Sequence, residues 1–140
     1  MKKIILFLLT LQCLLLAEEY LVAKPDVKVL AKSTKSWNGD TLAAYPQGQP
    51  EVTILNIKIP PKTRLHIHKH PVINAGVLLK GELTVVSEDG KTLHLKTGDA
   101  IIEMVGKWHH GINEGNDTAE IIVVYAGISD QAITVLKDEH

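Results

Sequence analysis

Short apolar segments broken by turn sequences dominate the chain after residue 50, and this pattern restricts its fold more than any other feature. The segments are rich in β-branched residues and often alternate apolar with polar positions: EVTILNIKI, RLHIHKH, GVLLKGELTVV, KTLHLKTG, AIIEM and AEIIVVYAG. Turn-forming stretches such as PPK, SEDGK, TGD and NEGND separate them. No segment after residue 17 has the 3.6-residue apolar period of a core helix. Many short strands in a small domain indicate a β-sandwich or a barrel.

The first 17 residues have the order of an export signal. Two lysines precede an apolar run over residues 4–16, and Ala17 is a small residue at the expected cleavage point. The run is shorter than the roughly 20 residues that span a bilayer. We therefore expect residues 1–17 to be a cleavable signal peptide, the protein to be periplasmic, and no stable membrane insertion after cleavage. An uncleaved membrane anchor stays an alternative, because Leu15, at position −3 relative to cleavage after Ala17, is larger than the small residue usual there.

The remaining chain is expected to be one domain without cysteine chemistry. Cys13, the only cysteine of the sequence, falls within the expected signal. About 120 residues suffice for one core and are too few for two. We expect an arm of short strands over residues 18–50 and a barrel domain over residues 51–137. Removing two lysines from the 15 basic residues leaves 13 against 16 acidic ones, without a basic cluster, so nucleic acid is not an expected partner.

Three histidines alternate within the segment RLHIHKH. In a strand, residues two apart point to the same face about 6.6 Å apart, so His66, His68 and His70 are expected to project together. Two such imidazoles can bind one ion at about 2.0 to 2.1 Å from each nitrogen. The alternation leaves the choice of pair open, and surface histidines on an edge strand are the alternative interpretation.

The wider spacing resembles the two motifs of the cupin superfamily. The first motif has His-x-His, a spacer, a glutamate and, after six more residues, a glycine. With Gly81 as that glycine, His68 and His70 form the pair and Asn74 stands in place of the glutamate. The second motif is similar to GDAIIEMVGKWHHGIN, with Met104 at the usual proline and with Gly98, Gly106, His109 and Asn113 at the other motif positions.

The resemblance covers residues 60–127 and implies an all-β, single-domain jelly-roll barrel of the cupin type. It implies that His68, His70 and His109 hold one divalent transition-metal ion, of which Zn, Ni, Cu, Fe and Mn all stay possible. His66 is expected to line the pocket near the barrel mouth or to substitute as a ligand, and Trp108 to line the pocket. Asn74 either offers its amide oxygen as a weak ligand or leaves a three-histidine site.

Two functions stay open from the sequence. The first is a metal-dependent enzyme acting on a small molecule, and the second is a non-catalytic module that binds a small molecule or a metal. An ion without a carboxylate ligand keeps its full charge, which favours substrates with a carboxylate or enolate. No catalytic residue is assigned, and Tyr125 is expected to belong to the core. Glu103 is expected to be solvated, and a hydrogen-bond acceptor behind the metal ligands is the alternative for it. A homodimer is expected from the resemblance.

Overall fold

The computed structural model describes residues 20–138, and this part of the chain contains strands but no helix. The predicted signal peptide, residues 1–17, lies outside the described residues. Within the described range, no helix is long and apolar enough to cross a membrane. The strands are β1 (Pro50–Ile59), β2 (Thr63–Arg64), β3 (His68–Lys69), β4 (Ile73–Lys80), β5 (Glu82–Ser87), β6 (Thr92–Lys96), β7 (Ala100–Ile102), β8 (His109–Asn113), β9 (Ala119–Ile128) and β10 (Val135–Leu136).

The strands form two antiparallel sheets that enclose one core. The four-stranded sheet has the order β1-β9-β4-β7, and the six-stranded sheet has the order β10-β3-β8-β5-β6 with β2 beside β8. The longest pairing joins β1 and β9 from Pro50 opposite Ile128 to Ile59 opposite Ala119. Neighbouring strands in each sheet are mostly distant in sequence, as in a jelly roll. The predicted all-β jelly-roll fold is confirmed.

Apolar side chains on alternate strand positions fill the space between the sheets. On β9, Ile121, Val123 and Tyr125 are buried at every second position, and they meet Leu83 and Val85 of the opposite sheet in one cluster. Complete burial of one such aliphatic side chain contributes about 1.5–3 kcal/mol. This layer therefore stabilises the domain and fixes which strand positions face inward.

Two glycines lie where β4, the strand that carries Asn74, and the turn after it approach β9. Gly81 has a φ of 79°, which favours glycine, and a Cβ there would lie 3.0 Å from the Cα of Ala119. On β4 itself, a Cβ at Gly76 would lie 2.8 Å from the carbonyl oxygen of Ile122. Glycine at these two positions therefore allows β4 and the turn after it to lie close to β9.

Two stretches differ from the strands expected from the sequence. Between residues 20 and 49 the only pairing is an isolated bridge from Lys35 to Thr41, so the short strands expected over residues 18–50 are not formed there before β1 begins. The segment RLHIHKH is also interrupted, because residues 65–67 lie between β2 and β3 outside any strand. Both stretches are rich in strand-forming residues, but pairing with neighbours rather than local preference decides strand formation.

The arm nevertheless contacts the barrel, and one of these contacts lies beside the histidine cavity. The backbone N–H of Trp37 donates to the carbonyl of Ile102 at 2.9 Å, and the indole packs against the core. This contact places the arm beside the end of β7, next to the cavity described below.

Candidate metal centre

Three histidines come together inside the barrel. Two lie on the paired strands β3 and β8, and the third directly follows β3. His68 on β3 lies directly opposite His109 on β8, and His70 follows His68 on the same side. The ring centroids are 4.5 Å apart for His68 and His109, 4.9 Å for His68 and His70, and 5.1 Å for His70 and His109. One nitrogen of each ring lies within 4.8 Å of the other two. This spacing suits three ligands of one ion.

Backbone carbonyls fix the orientation of all three rings. The Nδ1 atoms contact the carbonyl oxygens of His66 at 2.8 Å for His68, of Ile133 at 2.9 Å for His70, and of Lys107 at 2.9 Å for His109. Because a carbonyl oxygen only accepts, each Nδ1 must carry the proton and donate it. Each Nε2 therefore keeps its lone pair, which is the form that a metal ligand needs.

The histidines are also neutral near pH 7. Burial lowers the pKa of His70 from 6.5 to about 4, with a smaller lowering from the neighbouring His109 and His68 rings. Burial likewise lowers the pKa of His68 and of His109. Neutral imidazoles bind a divalent ion without first releasing a proton.

The histidines open into a cavity of about 300 Å³ with mostly apolar walls. This volume is at the small end of ligand pockets in proteins, which span about 300–1,000 Å³. No lysine or arginine of the described residues lines it. The apolar wall includes Leu55, Ile57, Leu65, Leu83, Val85 and Val123.

Asn74 lines the same cavity from β4. Its side chain is completely buried, and Nδ2 donates to the carbonyl oxygen of Val72 at 3.3 Å. Its Oδ1 has no hydrogen-bond partner among the described residues. The amide that replaces the expected glutamate therefore brings an unpaired oxygen to the cavity but no charge.

Glu103 is the residue that the sequence interpretation misplaced. It was expected to be solvated, but its side chain is only 12% exposed, and its Oε2 lies 3.6 Å from Nε2 of His109. Burial raises its pKa from 4.5 to about 7. Interactions with His68, with the backbone of Met104 and with the Trp37 side chain lower this pKa by smaller amounts. Trp37 Nε1 and Glu103 Oε2 do not form a hydrogen bond of normal geometry. Glu103 directly follows β7, two positions after the buried Ile101, but apolar residues on both sides of it left the buried face open in the sequence.

Tyr125 belongs both to the core and to the cavity wall. Its ring centroid lies 5.3 Å from that of His70, and it is almost completely buried. The hydroxyl of Thr134 lies 3.2 Å from Nδ1 of His70 and also interacts with the Tyr125 side chain. The segment before β10 thus holds His70 through Thr134 and the Ile133 carbonyl.

The two remaining predicted pocket residues have different places. His66 is exposed and lines the cavity, and its backbone carbonyl orients His68. Trp108 does not line this cavity, contrary to the expectation. It precedes the inward-facing His109 and lines a separate cavity, with the ammonium group of Lys69 4.5 Å from its ring centroid. Strand alternation explains this placement, because the position before an inward residue faces outward.

The cavity residues fit a divalent cation. His109 Nε2, Glu103 Oε2 and Asn74 Oδ1 are buried, and each lacks a hydrogen-bond partner among residues 20–138. Buried polar atoms in native proteins are almost always paired. All three are electron-pair donors, so the cavity suits a cation better than an anion.

Comparisons with known proteins agree with this architecture. A family model described as a cupin domain matches residues 55–125. No curated protein sequence matches the chain significantly. A conserved protein with a double-stranded β-helix domain from Klebsiella pneumoniae is 21% identical, with a TM-score of 0.54 over 69% of this chain and 90% of that protein's chain.

Two solved oxalate enzymes share the fold over part of their length. An oxalate oxidase in complex with the substrate analogue glycolate is 22% identical, with a TM-score of 0.53 over 61% of this chain and 45% of that chain. A formate complex of oxalate decarboxylase from Lactobacillus farciminis is 17% identical, with a TM-score of 0.53 over 61% of this chain and 26% of that chain. At these identities the likeness shows the fold.

Proposed function

Because this chain belongs to the cupin family, we propose that it is a metal-dependent cupin that acts on a small organic acid or enolate. The observation that carries this proposal is the set of three neutral imidazoles. A backbone carbonyl orients each ring, and each Nε2 keeps a lone pair that can bind a metal ion. His68, His70 and His109 hold the ion in this proposal. A bound divalent ion supplies a Lewis acid that polarises an oxygen atom of the substrate.

The cavity supports a substrate with one acidic oxygen group and an apolar body. An anionic group has no lysine or arginine to pair with among the described wall residues, so the ion must neutralise it. The remaining wall is aliphatic, which favours carbon and hydrogen over a second charged group. A compact dianion such as oxalate would leave one carboxylate against this aliphatic wall, so a monoacid or a β-diketone is the better match.

The residues around the ion contribute orientation and exclusion of water. Thr134 and the Ile133 carbonyl hold the His70 ring, so its Nε2 is placed before a ligand arrives. Leu55, Leu65 and Val123 surround the space next to the histidines and keep it apolar. Electrostatic interactions strengthen in such surroundings.

The substitution of an amide at position 74 favours a second candidate, a non-catalytic module that binds a small molecule or a metal. Turnover distinguishes the two. The metal-loaded protein is incubated with a panel of aliphatic monocarboxylates, β-diketones and thiols, while oxygen consumption and substrate loss are followed. Binding of the same compounds is measured by calorimetry. Turnover of a panel member, abolished in His70→Ala, supports the enzyme. Tight binding without turnover across the panel would favour the binding module.

A further inference from the structure

Two electron-pair donors face each other inside the cavity. Oε2 of Glu103 lies 3.6 Å from Nε2 of His109, and their side chains are 12% and 2% exposed. The proton of His109 is on Nδ1, which donates to the carbonyl oxygen of Lys107. The facing Nε2 therefore presents a lone pair toward a carboxyl oxygen. Neither atom has a hydrogen-bond partner of normal geometry among the described residues, although the Trp37 side chain lies near Glu103.

The separation of these two atoms suits a shared cation better than a shared proton. Hydrogen bonds between nitrogen and oxygen have lengths of about 2.7–3.2 Å, so a contact of 3.6 Å is too long. Two ligand atoms that each lie about 2.1 Å from a tetrahedral ion are about 3.4 Å apart. The contact is also not an ordinary salt bridge, because His109 is buried in its neutral form.

Glu103 enters the cavity beside Asn74. The backbone N–H of Glu103 donates to the carbonyl oxygen of Asn74 at 3.0 Å, so the two residues are neighbours on adjacent chain segments. Asn74 brings only a neutral amide. Glu103 thus offers a carboxylate beside Asn74, which offers only an amide.

In the structure only the three histidines have ligand atoms that all lie within 4.8 Å of one another, and Glu103 lies beside this group next to His109. We propose that Glu103 turns toward the ion when it binds and, as a carboxylate ligand, completes with His68, His70 and His109 a set of three imidazoles and one carboxylate. This inference rests on the proposed three-histidine site and extends it. A carboxylate partly neutralises the ion and suits manganese and iron better than an all-imidazole set does. The centre should therefore prefer these ions more strongly than three histidines alone would.

The test compares metal affinity in Glu103→Gln and in a matched surface variant, Glu51→Gln, at an exposed carboxylate on β1. Dissociation constants for Mn²⁺ and Zn²⁺ are measured by competition with a chromophoric chelator at pH 7.5. We expect Glu103→Gln to weaken Mn²⁺ binding at least tenfold and Zn²⁺ binding less, and Glu51→Gln to change neither. The double variant Asn74→Glu with Glu103→Gln should regain most of the lost Mn²⁺ affinity, because it returns a carboxylate from the neighbouring strand.

The absorption spectrum of the Co²⁺-loaded protein supplies a second measurement. Loss of a ligand changes the coordination number, so the visible bands of Glu103→Gln should differ in intensity from those of the unsubstituted protein. Equal Mn²⁺ affinity with unchanged bands would overturn the assignment of Glu103. Weaker binding with unchanged bands would also overturn it, because the carboxylate would then act from outside the coordination sphere. If the unsubstituted protein binds none of these ions, the three-histidine proposal itself fails, which is a separate outcome.

Discussion

Replacing Glu103 with glutamine should stabilise the metal-free protein at pH 8 and change its stability little at pH 4.5. Burial raises the pKa of this carboxyl group from 4.5 to about 7. The folded protein therefore keeps the proton over a pH range in which the unfolded chain releases it. Relative to high pH, the carboxyl group of Glu103 favours the folded protein below pH 4.5, and this contribution is lost as the pH rises from 4.5 to 7. Above that range the folded protein carries the full cost of burying the charge.

The magnitude follows from the two pKa values. A difference of one pH unit corresponds to about 1.4 kcal/mol, so a pKa raised from 4.5 to about 7 costs the metal-free protein about 3 kcal/mol at pH 8. Glutamine has nearly the same shape and no charge, so Glu103→Gln should recover most of this energy. The comparison between variants matters, because His70 acts in the opposite direction. Its pKa is lowered from 6.5 to about 4, so its neutral burial costs stability as the pH falls below 6.5.

The assay is urea unfolding of both proteins in excess chelator at several pH values between 4.5 and 8. The difference in free energy of unfolding should grow with pH and level off above pH 7. Glu51→Gln, at an exposed position on β1, serves as the control and should show no such growth. A Glu103→Gln difference that is independent of pH would refute the argument, since it would mean that the carboxyl group is not buried as a neutral group.

Three further predictions concern other parts of the molecule. Asn74→Glu should raise Fe²⁺ affinity in anaerobic titrations, because residue 74 lines the histidine cavity; unchanged affinity would mean that its side chain does not reach the ion. Asn113→Ala should lower the free energy of unfolding by about 2–3 kcal/mol, because its buried Nδ2 donates to the carbonyls of Ile59 and Asp117 at 2.9 and 2.8 Å; a loss below about 1 kcal/mol in urea unfolding would contradict this role. The expected homodimer should cover the exposed apolar face of the four-stranded sheet. Val124→Glu should then shift the mass measured by light scattering to that of a monomer. An unsubstituted protein that is already monomeric would refute the expectation. That face includes Val52, Ile54, Leu79 and Val124.

Much of the barrel was readable from the sequence because its signals are local. Alternating β-branched segments and turn residues such as Gly81 fix strands and their ends without knowledge of partners. The motif spacing pointed to His68, His70 and His109, and the structure brings one nitrogen of each within 4.8 Å of the others. Alternation alone left open which two of His66, His68 and His70 form the pair. The structure places His68 and His70 beside His109.

The remaining features depend on partners far along the chain. The proton position on His70 is set by the carbonyl of Ile133, 63 residues away, and no local pattern contains that contact. Glu103 follows the last residue of β7, with apolar neighbours on both sides, so alternation did not show which face was buried. The stretches before residue 50 have strand-forming composition, but among residues 20–49 the only strand-like pairing is the bridge from Lys35 to Thr41, which lies within the arm itself.

The metal content of the untagged protein, purified without chelators, tests the central claim most directly. Elemental analysis is compared between the unsubstituted protein, His70→Ala and His110→Ala, after reconstitution with iron, zinc, copper, nickel and manganese where needed. His110 is the matched control because it alternates away from the inward-facing His109 on β8. We predict about one ion per chain in the unsubstituted protein and in His110→Ala, and a sharp loss in His70→Ala. An unsubstituted protein that holds no metal, or an equal loss in both variants, would contradict the three-histidine centre.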